Sequence, residues 1–296
     1  MPVGDVEVRD ERMREVFDEV EVAVVQGGFK FLEGPVWRAR THDLVFSDIA
    51  GDCMYVLDHT GRTSPYRRPS NMANGSTADN EGRLVTCEHA TSRVVREEDG
   101  KLTVLAATYG GRELNSPNDV IAASDGTVIF TDPTYGRQEF FGIPRPESQD
   151  VRAVYAVDPR TSELRRLCDG FDQPNGLCLT PDETGLYVND TARMHIKKFT
   201  YRGGRAGDGV VWAELTGSGP GAPDGMKIGS AGHVFCTGPG GLHVLTADGT
   251  SLGVVRTPAP IANFAWGDDD LRTLYLCGEA TLFRVRTRIP GRPVPA

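Results

Sequence analysis

Six times along this 296-residue chain, one acidic or amide residue precedes a short apolar run, a polar turn and a second apolar run. The segments read EGPVWRARTHDLVFSD, NGSTADNEGRLVTCE, NDVIAASDGTVIFTD, NGLCLTPDETGLYVND, DGMKIGSAGHVFCTG and NFAWGDDDLRTLYLCG, and they begin at Glu33, Asn74, Asn118, Asn175, Asp224 and Asn263. Each reads as two strands joined by a turn. The leading residue stands ten or eleven positions before the first apolar residue of the second strand, which is Leu44, Leu84, Val128, Leu186, Val234 and Leu274 in turn. Those positions are spaced by 40, 44, 58, 48 and 40 residues. A repeat of roughly 40–50 residues, with two more strands per unit, is the signature of a β-propeller. The additional strands are visible in DCMYVLDHTGRTSPYRR, RAVYAVDPRTSELRRLCDG and LHVLTADGTSLGVVR, and the 58-residue spacing takes in an extra loop, GRQEFFGIPRPESQD, at 136–150. The expected fold is all-β, a six-bladed propeller in one domain spanning 1–296.

At the ends, residues 1–20 are expected to form an extension with a short helix over 5–20, and residues 288–296 a Pro-rich surface tail. VFDEVEVAVVQ is expected to hold a strand that completes the last blade. Thirty-five Gly and nineteen Pro suit a turn-rich β protein. The net charge of −9 carries no basic block, which argues against nucleic acid or an anionic membrane as a partner. The charged start lacks the apolar core of a secretory signal, and no run is long and apolar enough to span a bilayer. The six cysteines are scattered without a C-x-x-C pair, so free buried thiols and a cytoplasmic location are expected.

In a propeller the first strand of every blade lines the central channel, so equivalent positions form a ring. The ring here is Glu33, Asn74, Asn118, Asn175, Asp224 and Asn263, each with a side-chain oxygen and none basic. Buried carboxylates without a cation are costly. A hard divalent cation in the channel would satisfy such oxygens together, and calcium takes several carboxylate and amide oxygens in loose geometry. The competing reading is that Asn-Gly pairs mark blade-entry turns with positive φ. The residues that end the second strands, Asp48, Glu88, His89, Asp132, Asn189 and Asp190, return to the same face. As a set they would form an acidic rim suited to a hydroxylated substrate, with His89 as an acid–base candidate.

FLEGPVW, ELNSPNDV, FTDPTYG, QPNGL and PDGM, in this order from about Phe31 to Arg284, resemble the SMP-30/gluconolactonase/LRE (regucalcin-like) family, in particular its bacterial sugar-lactonase branch. The resemblance implies a six-bladed propeller with one catalytic divalent metal in the channel. Its ligands would be Glu33, Asn118, Asn175 and Asp224, four of the six ring positions. Calcium is favoured, with zinc, manganese, magnesium and iron(II) as alternatives. Asn74 and Asn263 then become ring neighbours that bind substrate or water, joined by Ser116, Asp132 and His89. The family's animal members carry Arg where this chain has Ser116, so the resemblance does not carry their substrate across.

The implied activity is hydrolysis of a small lactone, such as an aldonolactone, to its hydroxy acid by a monomer or small homo-oligomer. The metal would polarise the carbonyl, and Glu33 and Asp224 are the catalytic candidates. Asp224 would serve as general base or as nucleophile, and the sequence leaves both open. There is no Ser-His-Asp order, G-x-S-x-G, H-E-x-x-H or phosphate-binding glycine loop. The alternatives are a phosphotriester or fluorophosphate hydrolase on the same site, a propeller that kept the metal for a biosynthetic step, and a non-catalytic calcium-binding propeller.

Overall fold

A computed structural model describes residues 5–17 and 20–294. Six antiparallel sheets are built from residues 32–67, 73–106, 120–168, 174–214, 226–256 and 263–286, here blades 1 to 6. Within each blade the strands pair in sequence order, from the axis outward. The second strands fall at Asp43–Asp48, Leu84–Glu88, Val128–Asp132, Gly185–Asp190, Val234–Gly238 and Thr273–Gly278. The repeat therefore located them to within a residue. Every residue of these six strands is buried. Neighbouring blades cover both faces of each sheet, so these strands read as continuous apolar runs rather than as an alternating pattern. Leu44 and Phe46 of blade 1, for example, pack with Tyr275 and Cys277 of blade 6.

Blade 6 contributes three strands from its own segment, and Ala23–Gly27 pairs with Thr281–Arg286 as the fourth. The chain's two ends thus close the ring in one sheet, as VFDEVEVAVVQ suggested. The expected helix over 5–20 is only partly present, because Asp5–Val8 adds a fifth strand to blade 5 and the helix is confined to Met13–Val16. Residues 18 and 19 lie outside the described residues. Met13 and Val16 are fully buried among Phe235, Leu252 and Phe264, so this turn of helix plugs the groove between blades 5 and 6.

The tail does more than lie on the surface. Gly291 bridges to Gly229 and lies flat on Trp266, where an added Cβ would sit 2.2 Å from the indole Cγ. Arg292, Pro293 and Val294 then line a cavity of about 170 Å³ in the channel, together with first-strand residues of all six blades. The loop 136–150 is fastened to blades 2 and 3 by two arginines. Arg137 donates to the Asn115 and Leu114 carbonyls, each at 2.7 Å, and Arg145 donates to the His89 carbonyl at 3.1 Å. All six cysteines are free, five of them buried. Among the described residues no helix is long and apolar enough to cross a membrane.

Candidate active site at the propeller axis

The Asn-Gly pairs are not turns. Asn74-Gly75 and Asn175-Gly176 lie inside first strands, Ala73–Ala78 and Pro174–Leu179. Pairing with the second strand slips between Glu33 and Val36, between Ala73 and Ser76, and between Pro174 and Leu177. These bulges fall on the ring residues, and a bulge re-aims the side chain it carries. The glycines serve close approach instead. A Cβ on Gly34 would lie 1.9 Å from the Asn74 carbonyl oxygen, one on Gly75 2.5 Å from that of Asn118, and one on Gly176 2.0 Å from that of Asp224. At Gly225 it would lie 2.3 Å from Asn263 Oδ1. Each of these four glycines thus receives the ring residue of the next blade, and among them only Gly34 has positive φ, at +52°.

Five of the six ring residues are buried, and Asp224 is partly covered. Their partners aim them. Asn175 Nδ2 donates to Thr191 Oγ1 at 3.0 Å, and Thr191 in turn donates to the Pro223 carbonyl at 2.6 Å. Asn74 Nδ2 donates to His89 Nε2 at 3.1 Å. Both amides are thereby oriented with Oδ1 buried and without a hydrogen-bond partner. Glu33 Oε2 accepts the Gly34 N–H at 2.5 Å and Asn263 Nδ2 at 2.9 Å. Asn263 therefore positions Glu33, and its Oδ1 is itself engaged by the Phe264 N–H at 2.9 Å. Asn118 is held at the axis through its backbone, its N–H on the Thr131 carbonyl and its carbonyl accepting Gly75.

Burial pushes Glu33 up to about 7, with the Asp119 charge adding to the effect, while Gly34, Asn263 and Lys227 oppose it. Burial also holds Asp224 well above the usual carboxylate range, reinforced by the charges of Glu33 and Asp119. Two acids forced to share a site in this way accept a cation or a proton readily.

The acidic rim is a different matter. Both Asp132 oxygens accept backbone N–H groups, Asn115 and Ser116, at 2.8 Å each. Asp48 takes Lys30 and Phe31 in the same manner, and Asp190 takes Asp172 and Gln173. In each blade those N–H groups lie three and two residues before the ring position. The carboxylate at the end of the second strand therefore fixes the loop that delivers the ring residue. Asp132 and Ser116, expected at the substrate, are both engaged within the chain. Ser116 is fully buried, its hydroxyl donating to the Pro133 carbonyl at 2.7 Å and accepting the Gly136 N–H at 3.0 Å. Glu88 is likewise spent on Arg93, at 2.7 Å. His89 is buried with Nδ1 on the Phe141 carbonyl at 2.7 Å, and burial pulls its pKa down to about 4. Its neutral ring supports the Asn74 amide.

Three residues at the axis escaped the sequence reading. Asp119 is buried, its Oδ1 accepting the Val120 N–H at 2.9 Å and its Oδ2 without a partner. Burial raises its pKa, and Lys227 is the first influence that opposes the rise. Lys227 adds a basic residue next to a ring that has none among its own six members, since Nζ reaches Asn263 Oδ1 at 3.4 Å. The signal was available: in Met226–Ile228 the neighbours of Lys227 are core residues, so alternation turns the lysine toward the other face. Tyr135, in the TDPTYG motif, lies against Thr191, and burial together with the Asp224 charge pushes its pKa up to about 12. Near His89, whose Nδ1 meets the Phe141 carbonyl, Phe31, Phe140 and Phe141 pack edge to face with centroids 5.0–6.1 Å apart.

The donors suit a hard divalent cation. Carboxylates on Glu33, Asp119 and Asp224 accompany amide oxygens, two of them buried and unpartnered. Among the described residues no three His, Cys, Asp or Glu side chains form a metal cluster by themselves. A cation here would depend on the amides, as in sites of calcium type.

Among known proteins, a gluconolactonase of Zymomonas mobilis is 26% identical over 98% of this chain and 88% of that protein. A pentonolactonase of Haloferax volcanii is 28% identical over 86% of this chain and 83% of its own length. The structure of a gluconolactonase from Xanthomonas campestris superposes with a TM-score of 0.90 at 29% identity and covers 97% of each chain. A calcium-binding regucalcin from Agrobacterium tumefaciens, at 17% identity and a TM-score of 0.76 over 93% of this chain and 97% of its own, shares the fold. Residues 31–278 match the SMP-30/gluconolactonase/LRE-like family model, and the chain belongs to that family.

Proposed function

We propose that the chain is a metal-dependent lactone hydrolase, with Glu33, Asn118, Asn175 and Asp224 holding one divalent cation, calcium in the first instance. The observation that carries the reading is that Glu33 and Asp224, two acids held above the usual carboxylate range by burial and neighbouring negative charge, share the ring with Asn175, whose amide oxygen is buried and without a partner. The cation, when bound, supplies Lewis acidity toward the lactone carbonyl. The chain's own residues do the remainder. Asp224 receives the proton of the attacking water at its carboxylate, which the Asn175 amide steadies. Asn263 fixes Glu33, and Thr191 fixes the Asn175 amide. Tyr135 faces the ring on the side of Asp224 and can donate to the ring oxygen of a leaving alcohol.

The lactonase names of the relatives that match most of their length support this substrate class. The aromatic group Phe31, Phe140 and Phe141 beside the ring, in place of an acidic rim, favours lactones with an apolar substituent over bare polyols. It also keeps phosphotriesters as a second reading.

The test is pH-stat hydrolysis of a panel of aldonolactones, alkyl- or aryl-substituted lactones and phosphotriesters. It is run after chelation, with calcium, zinc, manganese, magnesium and iron(II) restored singly. Lactone turnover should vanish with the metal and return with one ion, and Glu33→Gln or Asp224→Asn should abolish it in a folded propeller. Full turnover in either variant would overturn the site. Phosphotriester turnover alone would select the second reading.

A further inference from the structure

Lys227 stands where the site needs a positive charge that no other residue at the ring supplies. Its strand, Met226–Ile228, places Met226 and Ile228 in the core between blades 4 and 5 and turns Lys227 toward blade 6 and the channel. There the ammonium has little local compensation. Its hydrogen bond to Asn263 Oδ1 is long, at 3.4 Å, and the Phe264 ring lies 5.7 Å away. An ammonium in such surroundings is costly unless charges of opposite sign are near. Those charges are above it. Asn263 passes from Lys227 to Glu33 through its amide, and Asp119 keeps a buried, unpartnered oxygen. Lys227 is also the principal cation acting on Asp119, and it eases Glu33. Further down the channel, Arg292 and Glu183 line the same cavity with opposite signs.

We propose that Lys227 is the fixed counter-cation of the axial site and sets it for one divalent ion. Glu33, Asp119 and Asp224 bring three negative charges; a divalent cation supplies two positive charges and Lys227 the third. The loaded channel is then neutral. A second divalent ion would carry it to a net positive charge beside a fixed ammonium, and a trivalent ion would leave it with an excess of one. The inference rests on the metal-binding reading above and goes beyond it by assigning Lys227 the selection of ion charge and number.

The experiment measures calcium and terbium(III) binding by chelator competition at mildly alkaline pH, in wild type, Lys227→Met, Lys227→Arg and Arg292→Met. Circular dichroism confirms the fold of each. With the lysine charge removed, the site is neutral around a trivalent ion instead. The terbium-to-calcium affinity ratio of Lys227→Met should therefore rise by roughly tenfold or more, as expected for a unit charge removed at close range. Lys227→Arg should restore the wild-type ratio, and Arg292→Met should leave it unaltered. An unchanged ratio in Lys227→Met, with metal still bound and Glu33→Gln and Asp224→Asn defective, would overturn this role and leave the metal site standing. If wild type and both carboxylate variants bind calcium alike, or not at all, the metal reading falls and the role of Lys227 falls with it. An equal rise in Arg292→Met would overturn the proposal as a general effect of net charge.

Discussion

His89 is the residue through which acid should reach the ring. Its Nδ1–H donates to the Phe141 carbonyl at 2.7 Å, so the neutral ring keeps the Nε2 lone pair that accepts the Asn74 amide at 3.1 Å. A proton on Nε2 would face an N–H of Asn74 in a place where His89 is only 1% exposed. Burial accordingly pulls the histidine from 6.5 to about 4; the Phe141 carbonyl opposes the shift and the Arg145 charge assists it. The unfolded chain takes up this proton near 6.5 and the folded chain only near 4, so between these values the unfolded state binds more protons. The contribution of His89 to stability is therefore complete above pH 6.5 and is lost as pH falls from 6.5 through 4. At about 1.4 kcal/mol per pH unit, the loss over that interval is roughly 3 kcal/mol. His89→Gln keeps a donor for Phe141 and an acceptor for Asn74 but does not titrate. The assay is urea unfolding of both proteins from above pH 6.5 down to pH 4, with chelator in every sample. The ring carboxylates titrate in both, so the difference between the two profiles isolates His89. Wild type should lose about 3 kcal/mol relative to the variant on acidification. Parallel profiles would refute the neutral, supporting role assigned to this histidine.

Gly176→Ala should cost about 3 kcal/mol or more in urea unfolding and weaken metal binding, because the new Cβ meets the Asp224 backbone oxygen at 2.0 Å, which cannot move away alone. Gly126→Ala, with positive φ but open space around it, should cost only about 1 kcal/mol and leave metal binding intact. Asp132→Asn puts an amide N–H against one of two backbone donors, so calorimetry should show about 2 kcal/mol of lost stability while KM for a lactone stays unchanged. A raised KM with stability unchanged would return Asp132 to the substrate. Phe141→Ala should raise KM for substituted lactones more than for bare aldonolactones, and an equal rise for both would remove the aromatic group from substrate selection.

The repeat was legible because each blade switches from one polar residue to an apolar strand at nearly the same distance, and burial on both sheet faces keeps those strands apolar throughout. The ring positions were legible for the same reason. Partner assignments were less so. Asp48, Asp132 and Asp190 look like a solvent-facing rim in one dimension, whereas the loops they follow present pairs of backbone N–H groups that need an acceptor. Lys227 was passed over because its part depends on convergence at the axis, where Asn263 of the next blade meets it. His89 reads from sequence as an acid–base candidate because the two partners that engage its ring nitrogens, Asn74 and the Phe141 carbonyl, are distant in the chain.

The residue that follows each ring position explains why the site has the composition it does. In order these are Gly34, Gly75, Asp119, Gly176, Gly225 and Phe264. Four glycines let the backbone of one blade meet the ring residue of the next, and at Gly75 and Gly225 the N–H bonds across that junction, at 2.8 and 2.7 Å. The exceptions fall at the junctions of blades 3 with 4 and 6 with 1, which lie opposite each other in a ring of six. At the second of them the link is made by a side chain, Asn263 donating to Glu33 of blade 1 at 2.9 Å, and at the first the Asp119 carboxylate lies close to Leu177 of blade 4. These two junctions leave room for side chains after the ring residue, and the chain fills that room with a third carboxylate on one side and the aromatic face beside Lys227 on the other. The glycines thus hold neighbouring blades close at the ring, and of the two departures from glycine Asp119 adds to its charge. Replacing Asp119 with Asn should consequently leave the propeller intact while lowering calcium affinity, and it should shift the optimum ion toward lower charge. Chelator competition with calcium and terbium(III) reads both effects, and an unchanged affinity for either ion would separate Asp119 from the site.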